Sequence, residues 1–467
     1  MKEKGVEMTA NAETASIQKE YIATRRRSQQ LYERACKVIP SGVEHDGRYM
    51  NPFPFYVARA HGARKWDVDG NELIDLNSGH GGLLLGHNHP DVVAAITEQA
   101  KRGLHYSSCH ELLIEIAEIL VQLIPCAEKV RWLHSGTEVS MLAIRLARAY
   151  TGRSKIVKFR GHFHGYWDEG MLGVRPPFDV PMSIGVPKEA FRNIILVDHN
   201  ESEGVRRAIE ETNDVACVIM DPIGHGFVHT NRPGFLEEIR QMTKEKGVVL
   251  IFDEVMSALR PAPGGAQEAY GVIPDLTILS KTLGGGLPMA AVVGKKEIMD
   301  VLTFRDDREH DRFHRVISQG THSATPILCA AALATLKVLQ TGEPQIYLNK
   351  LGSVLRKGMN EVLQKNGIPG CVYGNFSIAR LFIGHRCSYL RKCDTINCTF
   401  PDSEKLDLGT SPEIRRPLYL AMILNGVDYL AGLGNMLLNA ALTEEDIEKI
   451  LQSFDRSLLR LKEERIL

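Results

Sequence analysis

Gly247-Val-Val-Leu-Ile-Phe-Asp-Glu-Val-Met256 and Pro274-Asp-Leu-Thr-Ile-Leu-Ser-Lys-Thr-Leu-Gly-Gly-Gly286 decide how this chain is read. Val248–Phe252 is an unbroken β-branched and aromatic run, the pattern of a strand buried on both faces. Two acids follow it directly. In open α/β sheets the carboxyl ends of the strands are where ligands bind. The second run, Leu276–Leu279, ends on Ser280-Lys281-Thr282 and three glycines. An acid and a lysine at the ends of two buried strands open into one crevice.

Working outward, Val130–Leu133, Lys155–Phe159, Asn193–Val197, Val215–Met220 and Ala290–Val293 are further apolar runs of strand length. Helical stretches separate them, one from Gly136 through Tyr150 and one from Pro233 to Lys246, with Gly247 just past its end. Strand–helix alternation predicts an α/β fold, a mostly parallel sheet covered by helices on both faces. Towards the N-terminus a helix is expected over Ile17–Val38, then short strands over 55–59 and 64–76 around the turn Val68-Asp69-Gly70-Asn71. Helices are also expected over Ala324–Leu339 and, capped by Thr443, up to Arg460. The resulting division is an N-terminal segment, 1–80, that joins the small domain; a large domain, 81–335; and a C-terminal small α/β domain, 336–467.

Composition bounds the function. The 467 residues are 44% hydrophobic and 24% charged, with a net charge of -1. That balance argues against nucleic acid or an anionic membrane as partner. With no long apolar run and no secretory leader, the expectation is a cytoplasmic protein. The nine cysteines include a group at Cys387, Cys393 and Cys398 whose spacing matches no zinc pattern, so no metal is expected. The first fifteen residues are polar and expected to be mobile, and 380–411 reads as a loop.

Three patterns carry the chemistry. Ser135-Gly136-Thr137-Glu138 lies between a strand and a helix, where unpaired N–H groups favour a phosphate. Asp253 is placed to pair with a protonated pyridine nitrogen, keeping the ring an electron sink. Lys281, desolvated in the same crevice, can lose its proton and become a nucleophile. Each alone has a plainer reading as a helix cap, a structural acid or a surface lysine. Together they meet the requirements of pyridoxal 5′-phosphate.

The chain resembles the class III (omega) aminotransferases of the fold type I pyridoxal-phosphate enzymes, in the glutamate-1-semialdehyde aminomutase-like branch. The stretches that carry this are DVDGNELIDL at Asp67, GHNHP at Gly86, HSGTEVSMLAIRLARAYTGRSKIVKF from His134, GHFHG at Gly161, and the two quoted at the outset. The resemblance implies a large cofactor-binding domain and a smaller α/β domain. It implies that Lys281 holds the cofactor as a Schiff base and moves the proton at the substrate carbon, with Asp253 on the ring nitrogen. Ser135, Gly136 and Thr137 would bind the phosphate. Phe163 would lie over the ring and Val255 against its other face. Thr321 would reach the phosphate of a neighbouring subunit, so a homodimer with active sites at the interface is implied. Arg48 aligns with an arginine that binds the substrate carboxylate, and His80 lies where the branch often has a tryptophan.

Departures cluster around the substrate. His134 replaces an asparagine and Asn435 replaces a glutamate of the aminomutase branch. Leu430–Leu438 contains no second carboxylate-binding arginine, and Arg415 and Arg416 are not assigned to that role. The expected function is therefore an aminotransferase that exchanges nitrogen between an amine or amino acid, β-amino acids included, and a keto acid. The alternative is an aminomutase or racemase with the same cofactor residues.

Overall fold

A computed structural model describes residues 16–223, 231–384, 409–430, 432 and 434–467. The central sheet has seven strands, in the order Lys129–Leu133, Ala290–Gly294, Leu276–Leu279, Val249–Glu254, Val215–Met220, Lys155–Phe159, Ile194–Val197. Neighbours are parallel except at Ala290–Gly294, which runs against both of its partners. The mostly parallel sheet expected from the alternation is present.

Period-two geometry sorts the central strands into two faces. Ile219, Ile251 and Ile278 pack with Val139, Leu142 and Leu146 of the helix Gly136–Thr151. Val218, Leu250 and Phe252 pack with Phe235 and Ile239 of the helix Phe235–Glu245. Every residue of Val215–Met220 and Val249–Glu254 is buried. The same alternation decides the acids. Asp253 is two residues from Ile251, on the side of the helix Gly136–Thr151, while Glu254 faces the other way.

A second sheet pairs Val57–His61, Arg64–Asp67 and Glu72–Asp75 with a strand from far along the chain, Val427–Asp428, which runs parallel to Glu72–Asp75. A third joins Gly370–Tyr373, Ile378–Ile383 and Asn435–Leu437. The long helices Glu343–Lys365 and Glu444–Glu463 pack nearby, the latter begun by a capping box between Thr443 and Asp446.

Three local expectations need correction. The single helix over Ile17–Val38 is two helices, Ser16–Thr24 and Arg26–Ala35. They break at Arg25, whose side chain is buried and ion-paired with Asp67 at 3.3 Å. A tertiary charge pair overrides the helical propensity there. The strand expected over 55–59 runs from Val57 to His61, while the strands expected around the turn at 68–71 are Arg64–Asp67 and Glu72–Asp75. The helix placed from Pro233 starts at Phe235, after Gly234 at φ 80°. The first fifteen residues, the group Cys387, Cys393 and Cys398, and most of the loop expected over 380–411 lie outside the described residues. No helix among the described residues is long and apolar enough to cross a membrane.

Candidate active site

Lys129–Leu133, Val249–Glu254 and Leu276–Leu279 end at the same edge of the central sheet. Their continuations are Ser135-Gly136, Asp253–Val255 and Lys281. Asp253 is 5% exposed, and both of its oxygens are engaged. His164 Nδ1 lies 2.6 Å from Oδ2, and the Val255 N–H donates to Oδ1 at 3.0 Å. Glu254 is held by the N–H of Ala266 at 2.6 Å and the side chain of Gln267 at 3.0 Å, away from the crevice. Burial pushes the Glu254 carboxyl up to about 7.

Lys281 is partly buried at the end of its strand, with φ 46°. A left-handed non-glycine residue is strained, and such strain collects at functional sites. Its amine lies 2.6 Å from the Met256 sulfur. Burial lowers the amine to about 8; Asp253 and Asp221 oppose the shift, and Arg260 adds to it. A neutral amine near neutral pH is what a carbonyl-condensing lysine needs. Facing Lys281 is a second strained turn, with Ser78 at φ 48° and His80 at φ 54°. A side chain at Gly82 would stand 3.7 Å from the Lys281 backbone.

At the start of the helix Gly136–Thr151, the Ser135 hydroxyl accepts from the Glu138 N–H at 3.3 Å. The Glu138 carboxylate accepts from the N–H groups of His134 at 2.9 Å and Ser135 at 3.0 Å. The N–H groups of Gly136 and Thr137 remain directed out of the helix end. A side chain at Gly136 would sit 3.2 Å from both methyls of Val255. Backbone and Val255 thus approach as closely as a glycine allows.

The predicted residues therefore divide. Ser135, Gly136, Thr137, Asp253, Val255 and Lys281 converge on one crevice. Phe163, next to His164, is 42% exposed. Thr321 is exposed, and its carbonyl accepts from His105 Nε2 at 2.6 Å. Neither Phe163 nor Thr321 is enclosed by its own chain. His80 packs against His45 with the rings tilted by 53° and 5.0 Å between their centres. It is lowered to about 4 by burial and by the charges of His45, Lys281 and Arg48, so its ring is neutral. Arg48 is exposed and ion-paired with Glu44. Both residues line a cavity of about 1370 Å³ whose wall includes Gly79 but not Lys281, which lies behind that turn. The sequence reading missed His164 and Met256. His164 sits in the Gly161-His-Phe-His-Gly165 stretch, but no local spacing links it to an acid 89 residues away.

These residues fit a phosphate-bearing pyridine. A buried carboxylate braced by a histidine suits a ring nitrogen. Gly136 opposite Val255 leaves a slot beside a phosphate-binding helix end, and His164 Nε2 is buried without a partner among the described residues. The profile of the class-III aminotransferases matches residues 46–375. The chain belongs to the class-III aminotransferase family. Among its relatives is a glutamate-1-semialdehyde 2,1-aminomutase of Methanothrix thermoacetophila, 38% identical over 361 residues, or 76% of this chain and 82% of the relative. An omega-transaminase from Sphaerobacter thermophilus superposes with a TM-score of 0.84 at 31% identity, covering 93% of this chain and 98% of that one. A solved transaminase with pyridoxal phosphate bound gives 0.82 at 28% identity, covering 94% of this chain and 99% of that one. As a class-III aminotransferase family member with the fold type I architecture, the chain uses pyridoxal phosphate.

Proposed function

We propose that this enzyme moves an amino group on a small carboxylated substrate, with Lys281 as the residue that captures the cofactor and shuttles the proton. The observation that carries this is the Lys281 amine, lowered to about 8 by burial in the crevice that also holds Asp253. Pyridoxal phosphate, when bound, supplies an aldehyde for amine capture and a ring that draws electrons from the adjacent carbon. The chain supplies the rest. Gly136 and Thr137 bind the phosphate through the helix start, and Ser135 caps that start. Asp253, braced by His164, holds a proton on the ring nitrogen. Val255 and Phe163 confine the ring, with Thr321 of a second copy completing the phosphate site. Lys281 Nζ, once displaced by substrate, takes a proton from the substrate carbon and returns one nearby, general acid–base work for an amine of this basicity.

The finer assignment follows the relatives. Proteins named glutamate-1-semialdehyde 2,1-aminomutase match over 76% and 93% of the chain at 38% and 35% identity. They support transposition of nitrogen within one molecule ahead of the two-substrate exchange read from the sequence. The two-substrate reading keeps one specific observation. Asn435, which replaces a glutamate of the aminomutase branch, is 1% exposed with both amide atoms unpartnered among the described residues. Incubation of cofactor-loaded protein with glutamate-1-semialdehyde alone separates the two. Conversion to the isomer with nitrogen on the neighbouring carbon supports the mutase. A strict need for an added keto acid, with release of a new amino acid, supports the aminotransferase.

A further inference from the structure

We infer that Arg260 is a positioning residue for Lys281: it pins the turn at Gly81 against the lysine and so keeps the amine out of water and ready to condense. This deepens the role proposed for Lys281 and rests on it. Arg260 lies on the segment that follows Asp253 and is 0% exposed. Among the described residues no carboxylate pairs with it, and its side chain donates to neutral oxygens instead. Nη2 donates to the Gly81 carbonyl at 3.0 Å, and Nη1 to the Leu438 carbonyl at 2.9 Å and the Ser377 hydroxyl at 3.1 Å. A buried cation costs stability unless it is well bonded, and this guanidinium keeps its charge, burial lowering it only to about 10. Its fork ties the turn through Gly81 to the start of Ile378–Ile383 and the end of Asn435–Leu437.

Two contacts carry that grip to Lys281. The Gly81 carbonyl that accepts from Arg260 also accepts from the hydroxyl of Thr282, the residue after Lys281, at 3.3 Å. Gly81 also backs onto Met256. A side chain at Gly81, whose φ is 85°, would stand 2.8 Å from the Met256 Cε and 3.1 Å from its sulfur. That sulfur lies 2.6 Å from the Lys281 amine. The thioether is therefore wedged between the turn and the amine, and as a weak acceptor it excludes water without neutralising charge. The charged groups that act on the amine are Asp253 and Asp221 at their strand ends, which favour its protonated form, and Arg260, which opposes it. His80, on the turn itself, has a neutral ring. Loosening the turn admits water to the amine, and removing the guanidinium takes away a like charge. Both changes favour protonation of Lys281.

Competitive acetylation of the full-length, cofactor-stripped protein tests this. Trace acetic anhydride over a range of pH, with the Lys281 peptide quantified by mass spectrometry, reads the ionisation of that amine directly and needs no turnover. Arg260→Gln should move the Lys281 midpoint up by about one pH unit and slow pyridoxal phosphate uptake at neutral pH about tenfold. Arg260→Lys keeps the charge but loses the fork, and should move the midpoint the same way by roughly half as much. This milder change answers the same question where the glutamine variant does not fold. Arg356→Gln is the control for a purely structural role. Arg356 is also buried, and it donates to the carbonyls of Phe376 at 2.6 Å and Ile378 at 2.9 Å, on either side of Ser377, but not to the turn. It should lower the urea midpoint and leave the Lys281 midpoint in place. An unmoved Lys281 midpoint in a folded Arg260 variant, or an equal shift in Arg356→Gln, would overturn the assignment. Borohydride trapping with peptide mapping reads the role of Lys281 separately. A midpoint that moves as expected in a protein that fixes no cofactor at Lys281 would keep the link between the two residues and remove the function proposed for the crevice.

Discussion

His164 Nδ1 and Asp253 Oδ2 stand 2.6 Å apart, both buried, at the floor of the crevice. A carboxylate can only accept, so Nδ1 carries the hydrogen and the ring's other nitrogen points onward, without a partner among the described residues. The pair orients Asp253 and disperses its charge. His164→Ala leaves that carboxylate buried with one fewer donor, a loss of about 1.5–3 kcal/mol if fully expressed. We expect kcat to fall about 10- to 100-fold, with the visible band of bound cofactor shifted and the protein still folded. His164→Asn, which keeps an N–H donor, should recover part of the loss. Stopped-flow spectra of both variants decide it.

Lys281→Ala removes the amine that captures the cofactor. Turnover should fall by about three orders of magnitude or more, and borohydride should fix no label in the chain. The pH dependence follows from the sign of the shift. An amine lowered from 10.5 to about 8 is protonated, and inert, below that value and free above it. The rate at which cofactor-stripped protein takes up pyridoxal phosphate should therefore rise as pH approaches 8 and flatten beyond it. A rate that keeps climbing towards pH 10.5 would mean that Lys281 behaves as an ordinary exposed lysine.

Much of this was legible in the chain itself. Val248–Phe252 had to be a doubly covered strand because it offers no polar face, and its parity then separates Asp253 from Glu254. Local patterns also placed the helix at Gly136 and the cap at Thr443. Long-range partners were not legible. His164 reaches Asp253, and Val427–Asp428 adds to a sheet begun at Val57, only through the folded chain. The left-handed backbone at Lys281 and His80 has no signal either, since neither is a residue that favours it.

Arg25 interrupts what periodicity predicts to be one helix, and its burial gives a stability prediction. Its guanidinium is 3.3 Å from Asp67 and 4.8 Å from the ring centre of Tyr21. Arg25→Met leaves Asp67 buried without its counter-charge. Removing one partner of a buried pair costs about 3 kcal/mol. The urea midpoint should fall accordingly, while the visible cofactor band is unchanged. Adding Asp67→Asn should return part of the loss, because the stranded charge disappears.

Gly165 and Gly152 make a paired test of the phosphate end. Both have left-handed backbone, at φ 97° and 67°. A side chain at Gly152 would meet nothing within 4 Å, whereas one at Gly165 would lie 2.7 Å from the Thr137 Cα and hydroxyl. Gly152→Ala should cost about 1 kcal/mol through its backbone alone and leave cofactor affinity intact. Gly165→Ala carries the same backbone penalty and also pushes Thr137, the second residue of the helix proposed to bind the phosphate. Its cofactor dissociation constant should rise about tenfold or more, since a charge-assisted contact worth about 1.5–3 kcal/mol is displaced. Equilibrium dialysis of pyridoxal phosphate against both variants reads the difference. Equal affinities would detach Thr137 from the phosphate, whatever the two changes do to thermal stability.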